Sequence, residues 1–170
     1  MKKASIILIL ISISLISAVY VFGQQMSKEG TFSGVVTHSG TTKILALEEG
    51  TGVINWENKG IWREDSSAGP YHNSLMSCAG VHVLLKGIGK SHGYCVLTDP
   101  DGDRYLFEVT KDNLKLEHGL QEGKFKLIGG TGKFNGIQGE GVYKYHDVRS
   151  IREEKYQGRI FRVKGSYKLP

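Results

Sequence analysis

Helical periodicity is almost missing from this sequence, and so are most of the short motifs that announce an enzyme. There is no internal repeat, no low-complexity tract and no linker, and proline occurs only three times. No G-x-S-x-G elbow is present, which removes the usual hydrolase nucleophile. The histidines are His38, His72, His82, His92, His118 and His146. None stands in H-x-H or H-E-x-x-H spacing, so no structural zinc set is read from them. Lysines are scattered rather than gathered into a basic stripe, which excludes a nucleic-acid footprint. The two cysteines, Cys78 and Cys95, form no C-x-x-C pair, so a redox-catalytic role has no support.

What is present begins with "ASIILILISISLISAVYVF" behind Lys2 and Lys3. A basic start, an apolar run and small residues before Gln24 read as a secretory signal, cut after Gly23. The rival is an uncleaved membrane anchor, since the run is about long enough to span a bilayer. The expected mature chain is residues 24–170, one domain, with no stable membrane insertion after cleavage. Losing Lys2 and Lys3 takes the formal charge from +5 to +3. The expected location is secreted or periplasmic. There the cysteines pair as a disulfide or stay as two buried thiols.

Alternation is common along the rest. In "GRIFRVKGSYKL", Phe161, Val163, Gly165, Tyr167 and Leu169 share one face. In "DRYLFEVT", Tyr105, Phe107 and Val109 oppose Arg104, Leu106 and Glu108. "VHVLL" separates Val81, Val83 and Leu85 from His82 and Leu84. Period two marks half-buried strands. Turn signals lie between: "EEGTG", "ENKG", "KGIGK", "DPDGD", "LQEGK" and "GGTGK". Strands are expected near 31–38, 42–49, 52–57, 73–86, 90–98, 103–110, 123–128 with 140–147, and 156–168. The seventh of these divides into two pieces. Such spacing predicts an antiparallel sandwich or barrel. "REDSSAGPYHN" (63–73) is the longest polar stretch and is expected to be a loop at a barrel mouth.

The glycine run "IGGTGKFNGIQGEG" (128–141) raises the question of phosphate binding. A P-loop needs Ser or Thr after Gly132-Lys133, and Phe134 stands there. The dinucleotide fingerprint fails because Gly136 comes one residue late. Both motifs need a following helix, whereas "GVYKYHDV" alternates like a strand. Gly129, Gly130, Gly132, Gly136 and Gly139 are therefore read as turn and close-approach residues.

This stretch resembles the signature of the allene oxide cyclase barrel-like superfamily, which includes the plant dirigent proteins. Exported bacterial members, mostly of unassigned function, are similar over more of the chain. They share patterns like "YHNSLMSC", "GKSHGYCVLTDPDGDRYLFE" and "GGTGKFNGIQG", with a weaker echo in "INWENKG". The resemblance covers roughly residues 70–145. It implies a small eight-stranded antiparallel β-barrel. Plant members cyclise an allene oxide or steer radical coupling inside the barrel. Their active-site residues lie outside the glycine motif, so no catalytic residue is assigned here. Plant relatives form oligomers, so the resemblance also admits a homo-oligomer.

Other clusters are weighed on their chemistry. Asp99, Asp101 and Asp103 alternate as in an EF-hand, but Arg104 and Thr110 occupy the obligatory Gly and Glu positions. An Asp/Gly turn is the main reading, with a weak calcium site as the alternative. Tyr71 and His72 are candidates for acid–base work, with Asn73 as orienting group; the plainer reading is a strand start. Trp56 and Trp62 flank Gly60, read as a turn. They form either barrel-end core or the wall of a ligand pocket. Glu108 faces solvent or a polar lumen. The candidate pocket is thus Trp56, Trp62, Tyr71, His72, Asn73 and Glu108.

An eight-stranded barrel either fills with side chains or holds one small ligand. The expectation is an exported module that binds a small apolar molecule or a protein partner, without cofactor. The alternative is a cofactor-free cyclase or isomerase acting on an apolar substrate in the lumen.

Overall fold

The computed structural model describes residues 26–115, 120–146 and 155–170, with backbone alone at 146 and 155–161. The expected signal segment 1–23 and His118 lie outside the described residues. Eight antiparallel strands close into a ring, each bonded to the next and the last to the first. They are β1 (Glu29–Glu48), β2 (Thr51–Glu64), β3 (Ser74–Leu85), β4 (Ile88–Thr98), β5 (Arg104–Lys115), β6 (Leu120–Gly130), β7 (Gln138–His146) and β8 (Lys155–Lys168). The only helical element among the described residues is a 3-10 turn, Gly132–Phe134.

The expected count of eight is met, but by other boundaries. The segments 31–38 and 42–49 are one strand, β1, running through Ser39 and Gly40. The divided seventh segment is two strands, β6 and β7. "ENKG" is not a turn: Gly60 lies inside β2, paired with His38. A Cβ at Gly60 would sit 2.4 Å from the Thr37 carbonyl oxygen, so this glycine lets β1 and β2 approach. "LQEGK" likewise runs within β6, where Gly123 leaves space for the ring of Tyr143.

Alternation sorts the barrel wall. Tyr105 and Phe107 on β5, and Val163 and Tyr167 on β8, are buried, while Arg104, Arg162, Lys164 and Lys168 are exposed. One end of the barrel is plugged. The β2–β3 loop delivers Tyr71 and the β6–β7 connection delivers Phe134 and Ile137, none with accessible surface. Tyr71 packs on Phe32 (4.7 Å between ring centroids), Tyr105 (5.0 Å), Phe134 (5.6 Å) and Tyr167 (5.7 Å). The loop at 65–73 is therefore at a barrel end, as expected, and it closes that end. The other end carries the tight β1–β2 and β3–β4 turns and a small aliphatic cluster of Ile54, Leu84 and Leu114.

The glycine run divides. Gly132 (φ 53°) and Gly136 (φ 72°) are turn residues in the left-handed region, as read. Gly139 is not a turn residue. It belongs to β7, paired with Leu127 and Tyr167, where a Cβ would meet the Ser166 carbonyl oxygen at 2.2 Å. Gly129 and Gly130 end β6 at a register shift against β5.

Candidate ligand site in the barrel lumen

The site is built from the inward faces of neighbouring strands. On β2, Ile54, Trp56, Asn58, Trp62 and Glu64 are buried on one face. On β3 the inward set is Ser74, Met76, Cys78, His82 and Leu84. The β3–β4 turn is centred between Lys86 and Gly87, with Leu85 opposite Ile88. That register sets Cys78 against Cys95, and the two form a disulfide (S–S 2.05 Å). The sequence left open whether the two cysteines pair or stay as thiols; in the structure they pair.

A cavity of about 90 Å³ lies between the aromatic plug and the aliphatic cluster. Its apolar wall includes Trp56, Trp62, Met76, Phe107, Phe125 and the disulfide. Towards the end with Ile54, Leu84 and Leu114 its wall turns polar, with His82, Ser91, Tyr143 and Tyr145. The indole of Trp56 stacks against His82 at 5.7 Å. The indole N–H groups of Trp56 and Trp62 are both buried and find no acceptor among the described residues.

Behind this polar wall stands Lys111, only 7% exposed. It pairs in register with Ser91, which pairs with His82. Its ammonium donates to the Glu122 carbonyl oxygen (3.3 Å) and lies 5.4 Å from the centre of the Tyr145 ring. Gln121 donates to the Lys115 carbonyl oxygen (3.0 Å) and accepts from the Tyr145 hydroxyl (3.4 Å). Tyr143 donates to the Thr110 carbonyl oxygen (3.4 Å), and burial pushes its phenol well above the ordinary range.

The residues singled out in the sequence scatter. Trp56 and Trp62 do line the cavity, and they do so from inside β2 rather than around a turn. Tyr71 belongs to the plug. Its hydroxyl is buried without a described partner, and burial, then the phenols of Tyr105 and Tyr167, drive its pKa far up. Tyr71 is not among the residues that line the cavity, so it is not placed for acid–base work there. His72 is half-buried in the same loop, and Asn73 is exposed at φ 61°, a turn residue before β3. Glu108 faces outward, where it meets His92 Nε2 at 2.9 Å. Neither His72, Asn73 nor Glu108 reaches the cavity.

Asp99, Asp101 and Asp103 stand in the connection between β4 and β5. Asp99 Oδ1 accepts from the backbone N–H groups of Asp101 (3.0 Å) and Asp103 (2.9 Å), an Asp-led turn. Lys133 fills the place a cation would take, 2.5 Å from Asp99 Oδ2 and 2.7 Å from Asp101 Oδ2. Among the described residues no group of three acidic, histidine or cysteine side chains could hold a metal ion.

Reasoning from sequence missed the rest of the wall: Met76, Phe107, Phe125, Tyr143 and Tyr145. The inward parity of Phe107 was readable, but its level in the barrel depends on strand stagger, which alternation does not carry.

No family model and no curated protein matches the sequence. Among solved structures, the fold is similar to the pterocarpan synthase dirigent protein GePTS1. The identity is 13% and the TM-score 0.49, covering 88% of this chain and 99% of that one. It is also similar to the pterocarpan synthase dirigent protein PsPTS1, at 11% identity and a TM-score of 0.47. That match covers 85% of this chain and 97% of the other.

Proposed function

We propose that this protein is a binding module that holds one small, largely apolar molecule inside its barrel. The observation that carries the reading is the cavity of about 90 Å³ walled by Trp56, Trp62, Met76 and Phe107. Drug-sized ligands occupy pockets of roughly 300–1,000 Å³, so the occupant is small: one ring or a short branched chain. Met76 lets the wall adjust, because its thioether chain is flexible. The cyclase or isomerase alternative has less behind it. Tyr71, His72 and Glu108, which would have handled protons, do not meet at the cavity.

The module is proposed to work after export, as the signal-like residues 1–23 suggest. A Cys78–Cys95 disulfide persists in oxidising compartments. Among the described residues no helix is long and apolar enough to cross a membrane.

Native mass spectrometry on protein purified from its own host tests the reading. The expected spectrum is the disulfide-bonded chain carrying the extra mass of a small organic molecule. Bare protein, together with tryptophan emission unchanged by single-ring compounds, overturns it.

A further inference from the structure

Building on the lumen reading, we propose that the ligand enters and leaves the cavity sideways, between β5 and β6, through a seam that side chains rather than backbone hold shut. Side chains occupy both axial routes. Tyr71, Phe134 and Ile137 fill one end without accessible surface, and Ile54, Leu84 and Leu114 are buried towards the other. The wall parts between β5 and β6. Their ladder runs from Tyr105 with Gly130 to Thr110 with Lys124, and among the described residues it stops there. Yet β5 continues to Lys115 and β6 begins at Leu120. Past that point β5 pairs only with β4, as far as Lys115 with Ile88. The facing part of β6 pairs only with β7, from Leu120 with His146 to Gly123 with Tyr143.

A bulge turns β5 away at the same place. Ser91 pairs with Lys111 and Gly89 with Leu114, so Asp112 and Asn113 stand against Lys90 alone. Asn113 has φ 54°, a left-handed residue inside a strand. A bulge bends its strand out of the regular ladder. Side chains then stitch the gap. Lys111 donates to the Glu122 carbonyl oxygen (3.3 Å), and Gln121 donates back to that of Lys115 (3.0 Å). From β7, the Tyr145 hydroxyl donates to Gln121 Oε1 and the Tyr143 hydroxyl to the Thr110 carbonyl oxygen, both at 3.4 Å. The Tyr143 ring reaches Thr110 across Gly123, where a Cβ would lie 2.2 Å from it. Tyr143 and Tyr145 line the cavity, so the stitched gap borders the lumen. Among the lining residues only Val109 and Tyr143 are half-buried rather than buried, and both stand beside the gap.

A ladder bond gives way only when its strand moves, whereas a side chain changes rotamer over a fixed backbone. Side-chain ties in place of a ladder therefore make this the part of the wall that opens at least cost. Such a tie is a barrier on the path and not a contact with the bound molecule. Loosening it speeds entry and exit alike and leaves the affinity where it was.

Fluorobenzene, a single apolar ring, is the probe. Fluorine NMR gives its exchange rate with the full chain, and a titration gives its Kd. Gln121→Ala removes two ties and Lys111→Met one, and neither residue lines the cavity. Each variant is expected to exchange fluorobenzene about five- to tenfold faster than the parent, the rate equivalent of one lost hydrogen bond, with Kd unchanged. Asp65→Ala loosens the plugged end instead, where Asp65 holds Ser33 and Arg162, and is expected to exchange at the parent's rate. Parent-like exchange in either folded seam variant, faster exchange matched by an equal loss of affinity, or faster exchange in Asp65→Ala overturns the inference and leaves the lumen reading standing. Should neither seam variant fold, Asp65→Ala decides: an unchanged rate supports the seam, and a faster one overturns it. Failure of fluorobenzene to bind the parent overturns the lumen reading and the inference with it.

Discussion

Gly80 and Gly93 face each other across β3 and β4, and the indole of Trp56 lies over both. A Cβ at Gly80 would stand 2.3 Å from Trp56 Cζ2, and one at Gly93 2.6 Å from the same atom. Gly80→Ala must therefore push the ring towards the cavity. The expected cost is about 1–3 kcal/mol in urea unfolding, with a shifted tryptophan emission spectrum. Lys133 is the second residue on which much depends. Burial works against its ammonium, and hydrogen bonds to Asp101 and Asp99 outweigh that and raise its pKa. The Asp99 side chain is fully buried. Lys133→Met strands that carboxylate and is expected to cost about 3 kcal/mol. A raised lysine stabilises fully below its ordinary value of 10.5 and loses that contribution as pH climbs through the higher folded value. The parent should therefore lose stability in that alkaline window, and Lys133→Met should not show that loss. Glu64 gives the opposite case. Desolvation raises its carboxyl above 4.5, although the Tyr71 N–H (3.1 Å) works against the rise. A raised acid costs stability as pH rises from 4.5 through the folded value. Glu64→Gln keeps an acceptor for Tyr71, so its thermal midpoint should exceed the parent's at pH 7 and converge with it in acid.

At the scale of the element, the β3–β4 hairpin shows both what the sequence discloses and what it withholds. Its two turn residues, Lys86 (φ 53°) and Gly87 (φ 81°), both have positive φ, the signature of a type I′ turn. Asparagine accepts that conformation better than lysine, so Lys86→Asn should stabilise by a few tenths to about 1 kcal/mol in urea unfolding. The faces of β5 and β8 were legible because apolar and charged residues mostly alternate near Tyr105 and Val163, with Leu106 the exception on β5. The face of β3 was not. "VHVLL" alternates, yet hydropathy favours burying Val83 and Leu85, and the barrel buries His82 and Leu84 instead. Parity with Cys78 overrides hydropathy there, since the disulfide fixes which side faces in. The "ENKG" and "LQEGK" misreadings share one cause. A glycine that admits a crossing backbone or ring looks, in sequence, like a glycine that turns the chain. The cavity was half legible: two tryptophans on one strand gave one wall, while the facing wall required strand stagger.

For the whole molecule, the disulfide joins residues 17 apart and sits in the cavity wall. Chain-entropy reasoning gives such a loop about 3 kcal/mol. Urea unfolding with and without reductant should differ by that amount, with Cys78→Ala/Cys95→Ala matching the reduced protein. The ring itself is closed between β1 and β8, whose pairing runs from Glu29 with Lys168 to Thr41 with Lys155. That closure has a consequence in time. A ribosome releases the β1 segment long before β8 exists, by on the order of ten seconds at ordinary elongation rates. Throughout that interval one edge of the first strand lacks its mate, and the apolar Leu45 and Leu47, exposed even in the finished barrel, are bare. Newborn chains are thus open to pairing with one another at that edge, and the yield of barrels depends on what shields residues 29–48 until the last strand arrives.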